Sequence, residues 1–206
     1  MTAHQETSRT FIATAISTEA HRVLGEAAGR LRQEIPQGVG WVRPEGIHLT
    51  LKFLGNIRLE MVDRVLDSFA TPTAMSEPFQ LGLSGRLGVF PNSWRPRVLW
   101  AGIDGDLSAL SALQGAVEEA MENLGFSPEE RPYSPHLTLG RVKRGVSDAA
   151  LAKIYSSVTA VQLPGAQPWQ VDSFHLFKTD LKPSGSVHTV LGSVTLDAPD
   201  TPPGRP

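Results

Sequence analysis

Apolar and polar positions along the chain alternate between two periods, one suited to strands and one to helices. Arg9 to Ser17 predicts a first strand, and Thr18 to Ile35 a helix that Thr18 caps, with Glu19 in its first turn. A turn rich in Pro and Gly follows, from Pro36 to Gly40. Trp41 to Val42 and Ile47 to Leu54 predict extended segments. Leu59 to Phe69 carries apolar residues at Met61, Val62, Val65, Leu66 and Phe69, the spacing of a helix. Phe79 to Val89 and Arg97 to Ile103 predict strands, joined through the Pro91 to Pro96 turn.

The second half repeats the rhythm. It predicts a helix from Leu107 to Leu124 ended by Gly125, a strand from His136 to Val142, and a helix from Asp148 to Val158. Strands from Trp169 to Lys178 and from His188 to Leu196 close the ordered part. Residues 1–8 and the tail 197–206, polar or rich in Pro and Gly, are expected to be disordered, leaving one unit over 9–196. Strands and helices in alternation, with Gly-punctuated pairs, predict an α+β protein with antiparallel pairing.

Composition narrows the chemistry. At 206 residues the chain has room for one core or for two small lobes that share a cleft. No apolar run approaches the roughly 18 residues of a membrane span, and no secretory signal is legible at the start, so a cytoplasmic protein is expected. There is no cysteine, which excludes disulfides, a thiolate nucleophile and Cys-based metal sites. A net charge of -2 argues against a broad grip on duplex nucleic acid; any RNA contact should be local to one end.

One repeat carries chemistry. His48-Leu49-Thr50-Leu51 returns as His136-Leu137-Thr138-Leu139. In a strand, alternate side chains share a face, so each copy presents an imidazole and a hydroxyl on one side and anchors itself by Leu on the other. If a pseudo-two-fold relates the halves, the two His-Thr pairs face each other across a groove. Two imidazoles there suit in-line hydrolysis of a cyclic phosphate: one takes a proton from water, the other gives one to the departing ribose oxygen, and the hydroxyls bind phosphate oxygens. No metal and no cofactor are needed. A lone strand His is ordinarily a packed or surface residue, and Thr is common in strands for its shape alone. The paired occurrence is what favours chemistry. His4, His21, His175 and His188 lack this context and read as structural or surface residues.

These residues resemble a known family. The extended motif His48 to Gly55, the segment Arg131-Pro132-Tyr133-Ser134-Pro135 before His136, the opening Arg9-x-Phe11-x-Ala13, the central Phe90-Pro91 and Arg97 to Trp100, and Phe177-Lys178-Thr179 are similar to the two-histidine phosphoesterase superfamily, most of all to the LigT-like (ThpR) RNA 2′,3′-cyclic phosphodiesterases. The resemblance implies a bilobal α+β fold of two pseudo-symmetric lobes, each an antiparallel sheet with helices, and an active cleft between them. It implies hydrolysis of an RNA 2′,3′-cyclic phosphate end to a 2′-phosphate by a monomer. It makes His48 the proton donor and His136 the proton acceptor, with Thr50 and Thr138 on the phosphate; residue chemistry alone leaves that split open.

Arg141 matches an Arg of the family pattern and suits phosphate charge, although strand parity puts it opposite His136 unless Gly140 makes a bulge. Phe53, Tyr133 and Phe177 are candidates to stack on a terminal base. By parity Phe53 belongs to the core with Leu49 and Leu51, and Lys52 to the His48 face, where it steers phosphate or stands in solvent. Other readings stay open: a phosphodiesterase or ligase-type enzyme for another cyclic nucleotide or a 2′-5′ linkage, and a non-catalytic RNA-binding relative.

Overall fold

The computed structural model describes residues 7–69, 77–183 and 185–196. The expectations for 1–6 and 197–206 fall outside them. Thr7 and Ser8, expected in the terminal segment, instead open the first strand and pair with Arg58 and Ile57.

The strands are β1 (Thr7–Thr14), β2 (Val39–Trp41), β3 (Leu49–Arg58), β4 (Phe79–Phe90), β5 (Val98–Gly105), β6 (His136–Val142), β7 (Trp169–Val171), β8 (Ser173–Lys182) and β9 (Gly185–Thr195). The helices are α1 (Thr18–Glu34), α2 (Met61–Asp67), α3 (Leu107–Asn123) and α4 (Asp148–Ala160), with a 3₁₀ turn at Pro44–Gly46. Ser17, not Thr18, caps α1: its hydroxyl accepts from the Ala20 amide at 3.1 Å, the role of a residue still in extended conformation. Asp106 and Ser147 cap α3 and α4 in the same way. The predicted last-but-one strand breaks at Asp172 into β7 and β8, which pair with different partners.

All strand pairs are antiparallel, in the order β7-β4-β5-β6-β3-β1-β8-β9, with β2 added on the free stretch of β6. The order is a palindrome. β1-α1-β3-α2 and β5-α3-β6-α4 are equivalent runs, and a strand later than each run crosses over: β4 joins β5 in one half, and β8, which follows β7, joins β1 in the other. Exchange of strands ties together halves that would each be too small for an ample core of their own. Accordingly one continuous apolar cluster serves both, including Leu24 and Leu31 of α1, Leu110 and Leu113 of α3, and Leu49 and Leu137 from the sheet.

Lys52 of β3 sits inside this packing with only 5% of its surface exposed. Its ammonium donates to the Glu118 carboxylate of α3 and, at 3.0 Å, to the Ser127 carbonyl, and Gln114 holds the other carboxylate oxygen at 3.2 Å. The pair is satisfied, so breaking one side is costly while replacing both is not. Glu118→Gln should lower unfolding stability by about 2–4 kcal/mol in urea titration, whereas Lys52→Met combined with Glu118→Leu should recover most of that loss.

Candidate active site

The halves of the sheet meet at one residue pair, Leu49 of β3 opposite Leu137 of β6, both with no exposed surface. These are the second residues of the two repeated tetrapeptides. In the antiparallel register that this pair sets, His48 lies across from Thr138 and Thr50 across from His136. The pseudo-two-fold passes through the Leu pair, and all four polar residues are partly buried on the face the leucines turn away from. The diagonal neighbours His48 and His136 stand where an antiparallel pair puts Cβ atoms somewhat under about 8 Å apart, room for a phosphate between two rings.

Each strand then departs from simple alternation at the same place. In β3 the register against β1 passes from Thr50 to Lys52 with Leu51 unpaired, and in β6 the register against β5 passes from Thr138 to Gly140 with Leu139 unpaired. A bulge one residue after each motif Thr flips the parity of the residues beyond it. Two parity expectations are therefore overturned. Lys52 turns into the core rather than to the His48 face, and Phe53 turns out of it, 57% exposed and on the cleft wall. The same flip brings Arg141 onto the cleft face, the outcome that the Gly140 alternative had allowed. Gly140 is required there: a Cβ would lie 2.8 Å from Val39 Cγ1 of β2.

Each imidazole is oriented by the carbonyl two residues before it. His48 Nδ1 lies 2.9 Å from Gly46 O, and His136 Nδ1 lies 2.8 Å from Ser134 O. A carbonyl only accepts, so Nδ1 carries the hydrogen in both rings and leaves Nε2 for substrate. His48 stacks on Phe11, with centroids 4.4 Å apart and planes at 22°, and Phe177 is stacked against both rings, 5.1 Å from Phe11 and 6.0 Å from His48. Edge-on to His48 is His188, at 5.1 Å and 85°; edge-on to His136 is Phe90, also at 5.1 Å and 85°. The two histidines thus differ in their neighbours: the ring edge-on to His48 is titratable and the one edge-on to His136 is inert. Burial, and next the His188 charge, push the His48 pKa down to about 4, against the Gly46 hydrogen bond. Burial and the Arg141 charge lower that of His136, opposed by the Ser134 carbonyl.

The cleft has a volume of about 750 Å³. His48, Thr50, Thr138 and Arg141 line it, and neither Thr hydroxyl has a protein partner among the described residues. His136 stands at its margin, outside the lined volume, and no lining residue belongs to β4, β5 or β7. The open space therefore extends from the His-Thr pairs toward the His48 side, along β1, β8 and β9.

Two predicted stacking residues are placed elsewhere. The Tyr133 hydroxyl donates to the Thr50 carbonyl at 3.0 Å and its ring packs on the core, so it joins the two motif strands, and its burial raises its pKa. Phe177 stacks on Phe11 and on His48 and is not among the residues that line the cleft. His21 and His175 bond to Ile47 O and Ser193 Oγ, as structural residues do. His4 lies outside the described residues. His188, read from sequence as structural or surface, lines the cleft together with Arg9, Trp41 and Arg43. Comparing the two motifs residue by residue would have signalled the shared bulge, since Gly140 aligns with Lys52. Nothing local marks His188, which reaches the site through strand order alone.

Among the described residues no group of three or more His, Asp and Glu is arranged to hold a metal ion, and no helix is long and apolar enough to cross a membrane. The cleft and its margin offer two imidazole Nε2 atoms, two hydroxyls and a guanidinium on one face of the sheet. That set can exchange protons with, and neutralise, a tetrahedral anion.

The chain is similar to known proteins in sequence and in fold. The RNA 2′,3′-cyclic phosphodiesterase of Geobacillus stearothermophilus is 31% identical over 94% of the chain, which spans 59% of that protein's length. The enzyme of the same name from Thermus thermophilus is 31% identical, with 91% of this chain and 90% of that one covered. A crystal structure of a Thermus thermophilus protein superposes with a TM-score of 0.70 at 31% identity, covering 91% of this chain and 97% of that one. Escherichia coli LigT, solved with 3′-AMP, shares the fold with a TM-score of 0.68 at 22% identity, over 94% of this chain and 100% of that one. A family model matches residues 20–183, and the chain belongs to the family it describes, the 2′-5′ RNA ligase superfamily of two-histidine phosphoesterases.

Proposed function

We propose that this protein hydrolyses the 2′,3′-cyclic phosphate at an RNA end to a 2′-phosphomonoester, without a metal, by acid-base catalysis from His48 and His136. The observation that carries the reading is the Leu49–Leu137 register, which sets each imidazole across from a Thr hydroxyl with Nε2 free. Relatives named RNA 2′,3′-cyclic phosphodiesterase over most of the chain support it.

In the proposed step a water oxygen attacks phosphorus as the bond to the 3′ oxygen breaks. His136 Nε2 takes the water proton and His48 Nε2 gives one to the leaving oxygen, so the phosphate remains on the 2′ oxygen. Thr50, Thr138 and Arg141 hold the non-bridging oxygens. The lopsided cleft favours this division of labour: the nucleoside is bulky and is the leaving side, which suits the His48 side, along which the cleft extends. Tyr133 holds the two motif strands together, and Phe177 supports the Phe11–His48 stack through its contacts with both rings. The site is complete within one chain, consistent with a monomer that acts in the cytoplasm on a single RNA end, not on extended duplex.

In the empty cleft both imidazoles are neutral at pH 7, since both pKa values are depressed. The donor acquires its proton with the substrate, whose negative charge offsets the burial and the His188 and Arg141 charges that oppose it. Binding is therefore coupled to proton uptake. It should tighten as pH falls, by up to about tenfold per unit, and level off near the free-protein value of about 4. Calorimetry of a 2′,3′-cyclic nucleotide on the His136→Ala variant measures this directly, and pH-independent affinity from pH 8 to 5 would contradict the scheme.

His48→Ala and His136→Ala should each lower kcat/KM by about 10³-fold with circular dichroism unchanged. EDTA should have no effect on the wild-type rate; loss on chelation with recovery by a divalent ion would remove the metal-free mechanism. Product analysis should give a 2′-phosphate. A 3′-phosphate would reverse the roles or the pose, and turnover of 2′-5′ linkages in preference to cyclic ends would select the ligase-type alternative.

A further inference from the structure

The chain is slightly acidic, with 21 Asp and Glu against 19 Lys and Arg, yet no carboxylate lines the cleft among the described residues. Its walls carry Arg9, Arg43 and Arg141 beside His48 and His188. None of these three Arg is ion-paired to a carboxylate among the described residues. A cyclic phosphate bears one negative charge, and Arg141, next to the His-Thr pairs, meets it. Arg9 and Arg43 are surplus to that need.

The surplus is organised. Arg9 of β1 pairs in register with Thr179 of β8, and Thr179 with His188 of β9, a polar row across three strands. His188 Nδ1 and Thr179 Oγ1 are hydrogen-bonded at 3.1 Å. Arg43 reaches over from the 3₁₀ turn to the Ser186 carbonyl at 3.3 Å, and its charge, after burial, lowers the His188 pKa. The row lies two residues along β1 from Phe11, the ring under His48. That is about 7 Å of strand, comparable to the spacing of consecutive phosphates in an RNA strand.

We propose that Arg9, Arg43, Thr179 and His188 form a second phosphate subsite, which holds the phosphodiester on the 5′ side of the terminal nucleotide. The proposal rests on the cyclic phosphodiesterase reading and narrows its substrate: the enzyme prefers an end that carries a 5′ phosphate, as in an oligonucleotide, to a bare cyclic nucleoside phosphate. Among the described residues the cleft lining holds no residue of β4, β5 or β7, so no equivalent row lines it on the His136 side.

The test compares kcat/KM for adenosine 2′,3′-cyclic phosphate, for the same compound phosphorylated at the 5′ position, and for a dinucleotide with a cyclic end. The 5′ phosphate should raise kcat/KM roughly 10- to 100-fold, chiefly through KM, with the gain shrinking as salt rises. In the Arg9→Ala, Arg43→Ala double variant the ratio should fall toward one, and the milder Arg43→Met should lower it in part. Equal turnover of all three compounds by the wild-type protein overturns the subsite alone. A ratio that survives the double substitution overturns the assignment to these residues, and turnover of none of the compounds overturns the underlying activity and the subsite with it.

Discussion

Two leucines with no exposed surface hold the site in place. Leu49 and Leu137 form the one ladder pair between β3 and β6 among the described residues, and these are the strands at which the halves of the sheet join. Because strand side chains alternate, burying these two on one face obliges His48, Thr50, His136 and Thr138 to share the other. A slip of one residue would put the leucines in the cleft and the polar residues in the core, so apolar burial fixes the chemistry's register. Tyr133 adds a direct tie, from the segment before β6 to the Thr50 carbonyl.

Around this centre the fold is symmetric where it must position and asymmetric where it must discriminate. Both rings hang from a carbonyl two residues back, and both strands bulge after the motif Thr. Past the bulge the halves diverge: one brings Phe53 to the cleft, the other Arg141. One imidazole meets the edge of His188, the other the edge of Phe90. Two equal histidines would have no reason to take opposite roles. Unequal neighbours, and a cleft that extends on the His48 side, would supply a reason for the proposed division of roles.

The repeated motif makes the central four residues legible, because a period of two combined with Leu anchoring states which face is polar. Parity holds only as far as the bulges. At Gly140 a missing side chain advertises an irregularity; at Leu51 nothing does, and parity alone therefore assigns Lys52 and Phe53 to each other's surroundings. The α1 cap shifts by one residue because Ser17 and Thr18 are both capable and only the backbone angle of Ser17 decides. Arg9, Thr179 and His188 are beyond reach for a different reason: they meet only because β8 crosses into the half that β1 begins, and exchange of that kind leaves no local mark on sequence.

The proposed chemistry requires both imidazoles to address one phosphorus from opposite sides. A crystal structure with a pentacoordinate nucleoside vanadate bound in the cleft measures this most directly. One apical oxygen should then lie within about 3 Å of each Nε2, with equatorial oxygens on the Thr50 and Thr138 hydroxyls and the Arg141 guanidinium. Vanadate held against one histidine while the other ring points away from it would contradict the claim.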